Sequence, residues 1–188
     1  MTRTQLIGNA VGYQGVWFAA VIGAGRGLWW PAVVASALFV ATQVALSDRR
    51  AAEGKLILAA LAAGLLLDGT LAFGGLAHFA ADDVAVPPGG APLWILAIWV
   101  AFAVTLRHSM GFMMTRPMVA LVLGAVGGPL AYAAAGRGFA AVSFPQMLPA
   151  MLVLAVGWAL AMPGLARLAA RLGQTTVAPA TAGMGSKR

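Results

Sequence analysis

The feature that most constrains this chain is a series of apolar runs, each long enough to cross a bilayer as one helix. A spanning helix needs about 20 mostly apolar residues to cross roughly 30 Å of hydrocarbon. Six such runs cover approximately residues 6–24, 28–46, 55–75, 92–113, 117–135 and 145–165. Pro92, Pro117 and Pro145 each open a run, as is typical of a first helical turn. The sequence predicts an all-α, polytopic transmembrane bundle of about six spans.

The composition agrees with a membrane protein. Only 9% of the 188 residues are charged and 61% are hydrophobic, whereas a soluble domain averages roughly 25% charged residues. Residues 1–172 are predicted to form one bundle. Residues 173–188, which are rich in Thr, Ala and Gly and have no periodicity, are predicted to form a disordered cytoplasmic tail.

The basic residues predict the orientation of the bundle. Ten of the twelve Lys and Arg residues fall on one side of the predicted topology, and only Arg26 and Arg137 fall on the other, together with Asp82 and Asp83. By the positive-inside rule, both termini are expected in the cytoplasm. The net charge of +7 is explained by this asymmetry, so the lipid bilayer is the expected partner and nucleic acid is not.

Asp68 is the most unusual polar residue within the apolar runs. It lies more than halfway across the third run from the cytoplasmic side, where a charged side chain costs roughly 2.5–3.5 kcal/mol on insertion scales. As a functional group, it is a candidate to carry a proton, bind a cation, or hydrogen-bond a lipid headgroup or substrate. The alternative is an interhelical hydrogen bond to Asn9, Gln14, Gln43 or Thr105.

A second polar cluster ends the fourth run. Thr105, His108 and Ser109 are predicted to share one face of a helix, while Arg107 points elsewhere. The Arg107 side chain begins close enough to the cytoplasmic end to reach water or headgroups. The imidazole of His108 can transfer a proton near neutral pH, and it would pair with Asp68 if the third and fourth helices packed with those faces together.

Three smaller patterns consist of aromatic, polar or small residues that recur along the predicted helices. Asn9, Tyr13 and Trp17, with Gln14 beside them, form a stripe that either lines a cavity or packs within the bundle. The fifth run carries a face of small residues at intervals of four that ends at Tyr132; its small residues are Ala120, Gly124 and Gly128. That face allows either a homo-oligomer through Gly124 and Gly128 or close packing inside the bundle. Trp94 and Trp99 follow an outer loop and fit an interfacial belt.

Known catalytic motifs are absent. The chain has no cysteine, which excludes disulfides and thiolate chemistry, and it has no phosphate-binding loop, zinc-protease motif or nucleophile elbow. No metal site and no cofactor are expected, and no catalytic residue can be assigned. Whether the protein is an enzyme stays open, and the sequence favours that it is not.

An ordered series of short motifs resembles the bacterial integral-membrane family of domain of unknown function 2878. The segments are Gly15 to Phe18, Leu67-Asp68, Leu93-Trp94, Thr105 to Ser109, Arg116-Pro117 and Gly124 to Tyr132. The resemblance implies a bacterial inner (plasma) membrane protein. It also implies that Asp68, His108, Arg116 and Tyr132 occupy positions that mark the family. Arg107, Arg116 and Tyr132 are candidate contacts to headgroups or the membrane interface. The family has no established activity, so the resemblance implies no mechanism.

Three functions are compatible with these residues. The leading hypothesis is a small inner-membrane protein that binds or transports a lipid or other small amphipathic molecule, with Asp68 and the Thr105 to Ser109 cluster at the site. The second is an accessory subunit or enzyme of membrane lipid modification, in which His108 and Asp68 transfer protons. The third is an assembly partner without chemistry that uses the small-residue face of the fifth run.

Overall fold

Six α-helices make up most of the chain in the computed structural model, which describes residues 2–174. The helices are α1 Arg3–Ala24, α2 Trp30–Leu46, α3 Arg50–Phe73, α4 Leu93–Ala103, α5 Pro117–Phe139 and α6 Met147–Gln174. Residues 173 and 174, which were predicted to belong to the tail, end α6. Residues 175–188 of that predicted tail lie outside the described residues.

Short strands and a 3-10 helix connect the helices. The strands are β1 His78–Phe79, β2 Ala85–Val86, β3 Ala91–Pro92 and β4 Val142–Ser143. β1 pairs with β4 and β2 pairs with β3, both antiparallel. The 3-10 helix, Gly111–Thr115, leads into α5.

Four helices are long and apolar enough to cross a membrane, namely α1, α3, α5 and α6. The prediction of an all-α transmembrane bundle is confirmed. α2 has 17 residues and α4 has 11, and at 1.5 Å per residue α4 is only about 16 Å long. The count of six spans therefore stays a prediction.

α4 is the central helix of the bundle. It packs against α1, α2 and α3, and it is apolar on all sides, as a helix surrounded by others must be. Trp94 and Trp99 are each only 1% exposed, so the interpretation of these residues as an interfacial belt is wrong. The indole of Trp94 instead donates to the Ala80 carbonyl oxygen at 2.8 Å.

The fourth helix ends ten residues earlier than predicted. The Thr105 hydroxyl donates to the Phe102 carbonyl oxygen at 2.7 Å, and the chain continues in turns from Val104 to Met110. A threonine hydroxyl that bonds nearby backbone competes with regular helix geometry. Thr105, His108 and Ser109 therefore lie on turns, and the prediction that they share one helical face is wrong.

The connections gather at two opposite ends of the bundle. At one end, which we call the hairpin end, β1 and β4 pair and the α1–α2 turn approaches the end of α5. A Cβ atom on Gly25 would lie 1.8 Å from the Phe139 carbonyl oxygen, so only glycine permits this approach. We call the other end the N-terminal end, because α1 begins there. At this end, Arg49 donates to the carbonyl oxygen of Gly173.

The small-residue face of α5 packs against α6. A Cβ atom on Gly124 would lie 2.2 Å from the Trp158 carbonyl oxygen, and one on Gly128 would lie 2.3 Å from Cδ1 of the same residue. Close approach of helix backbones through glycine is a common way to pack membrane helices. This face is thus covered within the chain.

Candidate functional site

A cavity of about 680 Å³ lies between α1, α4, α5 and α6. Small-molecule sites in proteins commonly measure about 300–1,000 Å³, so this one is large enough for a ligand. Its walls are mainly aromatic and aliphatic. Four of the six tryptophans in the chain line it: Trp17, Trp94, Trp99 and Trp158.

The cavity is partly open, and the exposed residues that line it lie mainly on α1 and α5, on the side of the bundle. These two helices meet at the hairpin end, where the rings of Trp17 and Phe139 make an edge contact at 5.8 Å. Further along, Gln14 of α1 and Leu130 of α5 both line the cavity and are exposed; Leu130 is 63% exposed. Because α1 and α5 are apolar enough to span a membrane, the opening faces the place where lipid would lie.

Asp68 accepts hydrogen bonds from two residues of the cavity wall and lies on the side of them that faces away from the cavity. Its side chain is fully buried on α3. The Trp99 indole donates to Oδ2 at 2.7 Å, and the Tyr132 hydroxyl donates to Oδ1. Each of the two side-chain oxygens of Asp68 therefore accepts one hydrogen bond from an aromatic side chain. Asp68 therefore positions the wall without lining the cavity itself.

The partners of Asp68 differ from those predicted. Its hydrogen bonds come from aromatic side chains on α4 and α5, and not from Asn9, Gln14, Gln43 or Thr105. Tyr132 is 7% exposed, and its hydroxyl points inward. The assignment of Tyr132 as an interface contact is therefore wrong.

The Trp99 and Trp158 rings form a stacked pair in the wall. Their centroids are 4.2 Å apart and the rings are nearly parallel, at 9°. Gly64 of α3 lies against Trp99, and Gly128 of α5 lies against Trp158. A Cβ atom at either glycine would come within 2.4 Å of an indole carbon. Two glycines on opposite helices therefore fix the position of the pair.

Ser109 is a polar residue at the N-terminal end of the cavity. Its hydroxyl donates to Asn9 Oδ1 at 2.6 Å, and its backbone N–H donates to the same oxygen at 3.3 Å. Asn9 is 1% exposed and donates from Nδ2 to Gln43 Oε1 at 2.9 Å. The buried amide thus holds the turn that carries Ser109, and Ser109 lines the cavity.

Glu53 is the functional candidate that sequence reasoning missed. It is fully buried on α3. Ser47 Oγ donates to Glu53 Oε1 at 3.1 Å, and Arg107 Nη1 and His108 Nε2 each lie 3.5 Å from that oxygen. The predicted third run began at Lys55 and therefore excluded Glu53. α3 begins at Arg50 instead, and this extra turn places Glu53 on the buried stripe of the helix. The buried members of that stripe are Glu53, Leu56, Ala60, Gly64 and Asp68.

The structure does not bring His108 and Asp68 together. His108 lies beside Glu53, which is fifteen residues from Asp68 on the same helix. At 1.5 Å per residue this separation is about 22 Å. The proton-handling pair that would support an enzyme of lipid modification is therefore not formed.

The other candidates are placed apart from one another. Thr105 is buried and bonds its own turn, Arg107 is half-buried beside Glu53, and Arg116 is exposed where α5 begins. Tyr13 and Gln14 line the cavity. Within residues 2–174, no three His, Asp or Glu side chains come together in a way that could hold a metal ion.

Comparison with known proteins gives a family and nothing further. No curated protein matches the chain, and no solved structure matches it. The sequence model of one family, described as "Protein of unknown function (DUF2878)", matches residues 6–164. This match covers most of the chain, from α1 into α6, and confirms the resemblance drawn from the short motifs. The chain belongs to this family of proteins of unknown function.

Proposed function

We propose that the protein binds or transports a lipid or other small amphipathic molecule, which it holds in the cavity between α1 and α5. The observation that carries this proposal is the side opening between two membrane-length helices, with Gln14 and Leu130 at its rim. A molecule dissolved in the bilayer can enter through such an opening without passing through water.

The chemistry of the walls supports an amphipathic ligand. Most lining residues are aromatic or aliphatic, and a few polar groups occur among them: Tyr13, Gln14, Ser109 and Tyr132. Ligand sites typically combine apolar walls with a small number of polar groups that fix orientation. An apolar tail would pack on the tryptophans, and a polar end would bond to one of the hydroxyl or amide groups.

We further propose that the protein lies in a bacterial inner membrane with both termini in the cytoplasm. Arg49, Arg107 and Arg116 lie at the N-terminal end of the bundle, and among the Lys and Arg residues of the described range 2–174 only Arg26 and Arg137 lie at the hairpin end. The positive-inside rule supports this orientation.

The test fills the cavity with a side chain. Gly127 lines the cavity, and a Cβ atom there would have no neighbour within 4 Å, so Gly127→Phe is expected to fold and to occupy ligand volume. Gly15 of α1 is exposed, has equally open space and does not line the cavity. Gly15→Phe is therefore the matched control.

Mass spectrometry of the lipids that co-purify with the three proteins in mild detergent gives the readout. We expect at least one species enriched with the wild type and with Gly15→Phe, relative to the bulk membrane extract, and lost from Gly127→Phe. If Gly127→Phe folds and its lipid profile equals that of the wild type, the cavity is not the binding site and the proposal is wrong.

A further inference from the structure

Two hydroxyl groups that line the cavity already donate their protons to buried acceptors. The Tyr132 hydroxyl donates to Asp68, and the Ser109 hydroxyl donates to Asn9. A hydroxyl has one proton to donate and two lone pairs to accept with. Beyond these bonds, the oxygens of Tyr132 and Ser109 can therefore act only as hydrogen-bond acceptors, whereas the buried indole N–H of Trp158, which also lines the cavity, can act only as a donor.

The buried partners fix this polarity. Asp68 accepts from Tyr132 at one carboxylate oxygen and from Trp99 at the other, and an indole N–H can only donate. Asn9 Oδ1 accepts twice from Ser109, while its amide nitrogen donates to Gln43. Neither Asp68 nor Asn9 is exposed, so water does not compete for these bonds.

Charge is the second property of the cavity that selects a ligand. Among the described residues that line it, none is Asp, Glu, Lys, Arg or His. An ionised group that leaves water for an apolar site without an opposite charge loses a large solvation free energy. The cavity therefore disfavours a phosphate, carboxylate or ammonium group at the end of the ligand that enters it.

From these two properties we infer that the cavity selects an uncharged lipid alcohol, whose hydroxyl group donates to the oxygen of Tyr132 or Ser109. This inference rests on the proposed function and names its ligand class. Tyr13 and Gln14 also line the cavity and can both donate and accept, so a ligand hydroxyl that donates to Tyr132 or Ser109 can also accept from a donor in the wall. An ether or an ester can accept from the Trp158 indole but has no proton to donate to the oxygen of Tyr132 or Ser109.

The tryptophans in the wall provide a direct binding assay. Bromine atoms on a lipid tail quench tryptophan fluorescence at contact distance, and Trp17, Trp94, Trp99 and Trp158 line the cavity. The probes are a brominated long-chain alcohol, its methyl ether and the fatty acid with the same tail. These three differ only in the polar end, and the ether differs from the alcohol by the loss of the donor. Each is titrated into the purified full chain in detergent.

We expect the alcohol to bind about tenfold more tightly than the ether, since one hydrogen bond to a buried acceptor is lost, and more tightly than the ionised acid. Tyr132→Phe and Ser109→Ala remove the two acceptors. The double variant should bring the alcohol to the affinity of the ether and leave the ether unchanged.

The outcomes separate this inference from the proposed function. If all three probes quench equally and Gly127→Phe abolishes quenching by each, the cavity binds lipids but does not select a hydroxyl, and the inference is overturned. If the ether or the acid binds more tightly than the alcohol, the inference is also overturned. If no probe gives quenching that Gly127→Phe reduces, the proposed function fails as well.

Discussion

Asp68 shows how one buried residue can organise a site that it does not line. Its two oxygens accept bonds from Trp99 and Tyr132, so the carboxylate fixes an indole from α4 and a phenol from α5. A buried donor that loses its acceptor costs about 1–3 kcal/mol. The position of both wall residues therefore depends on this side chain.

Replacement of Asp68 tests that dependence. Asp68→Ala leaves two buried donors without acceptors, and we expect the free energy of unfolding in detergent to fall by about 2–5 kcal/mol. Asp68→Asn keeps one acceptor oxygen, so its free energy of unfolding should fall by less than that of Asp68→Ala. Asp83→Ala, at an exposed loop position, is the control and should change stability by no more than about 0.5 kcal/mol. Equal stability of Asp68→Ala and the control would contradict the hydrogen-bond network.

Glu53 has a comparable role at the N-terminal end of the bundle. In Glu53→Ala, the partly buried Arg107 and His108 lose the carboxylate that they contact. We expect a loss of about 1–3 kcal/mol in the free energy of unfolding, below the roughly 3–5 kcal/mol of a fully buried pair because Arg107 retains some exposure. The exposed neighbour Asp48 provides the control, Asp48→Ala. A larger loss in the control than in Glu53→Ala would show that Glu53 is not the acid that secures this end.

Sequence reasoning could identify polar residues but not their partners. Asp68 and Asn9 stood out because a polar group within an apolar run needs a reason. The partners of Asp68 could not be predicted, because Trp99 was interpreted as part of an interfacial belt and Tyr132 as a candidate interface contact, and the three residues meet only through helix packing. Glu53 escaped notice because it follows the basic segment that ends at Arg50, where the sequence looks like a loop.

At the scale of the helices, glycine decides how closely α5 and α6 approach. Gly124→Ala would place a methyl group against the Trp158 backbone, which cannot move aside like a flexible side chain. We expect this single methyl group to lower the free energy of unfolding by about 1–3 kcal/mol through overpacking. Gly127→Ala, on the same helix in open space, should be neutral or slightly stabilising.

Unfolding of the two α5 variants in detergent, followed by tryptophan fluorescence, measures the difference. If Gly124→Ala unfolds like the wild type while it changes the oligomeric state, the small-residue face would belong to an interface between copies of the chain and not to the contact with α6.

The existence of the helices was predictable, whereas several helix boundaries were not, and the end of the fourth helix differs most from its prediction. Long apolar runs identified all six α-helices of the described residues, because a spanning segment must satisfy its backbone within itself. The fourth run continues beyond Ala103 without a strong breaker, so it read as one helix to residue 113. Tertiary bonds override that pattern: Asn9 captures the backbone of Ser109, and Glu53 draws Arg107 and His108 toward α3.

At the scale of the whole molecule, the gap between α1 and α5 gives the bundle its proposed function. Most of the other helices pack closely, and α4 is enclosed, but α1 and α5 leave an opening whose rim is exposed. No pattern along the sequence predicts such a gap, because it depends on where two distant helices diverge. The stripe of Tyr13 and Trp17 was one signal, and the structure places both in the cavity wall.

The most direct test of lipid binding in this cavity is photo-crosslinking in the membrane itself. Membranes that contain the protein are loaded with a long-chain alcohol carrying a photoreactive tail, irradiated, and digested for mass spectrometric mapping. The account predicts that labels concentrate on cavity residues of α1 and α5 such as Gln14 and Ala131, and that Gly127→Phe removes them while Gly15→Phe does not. Uniform labelling of outward residues such as Leu58 and Leu66 of α3, unchanged by Gly127→Phe, would contradict it.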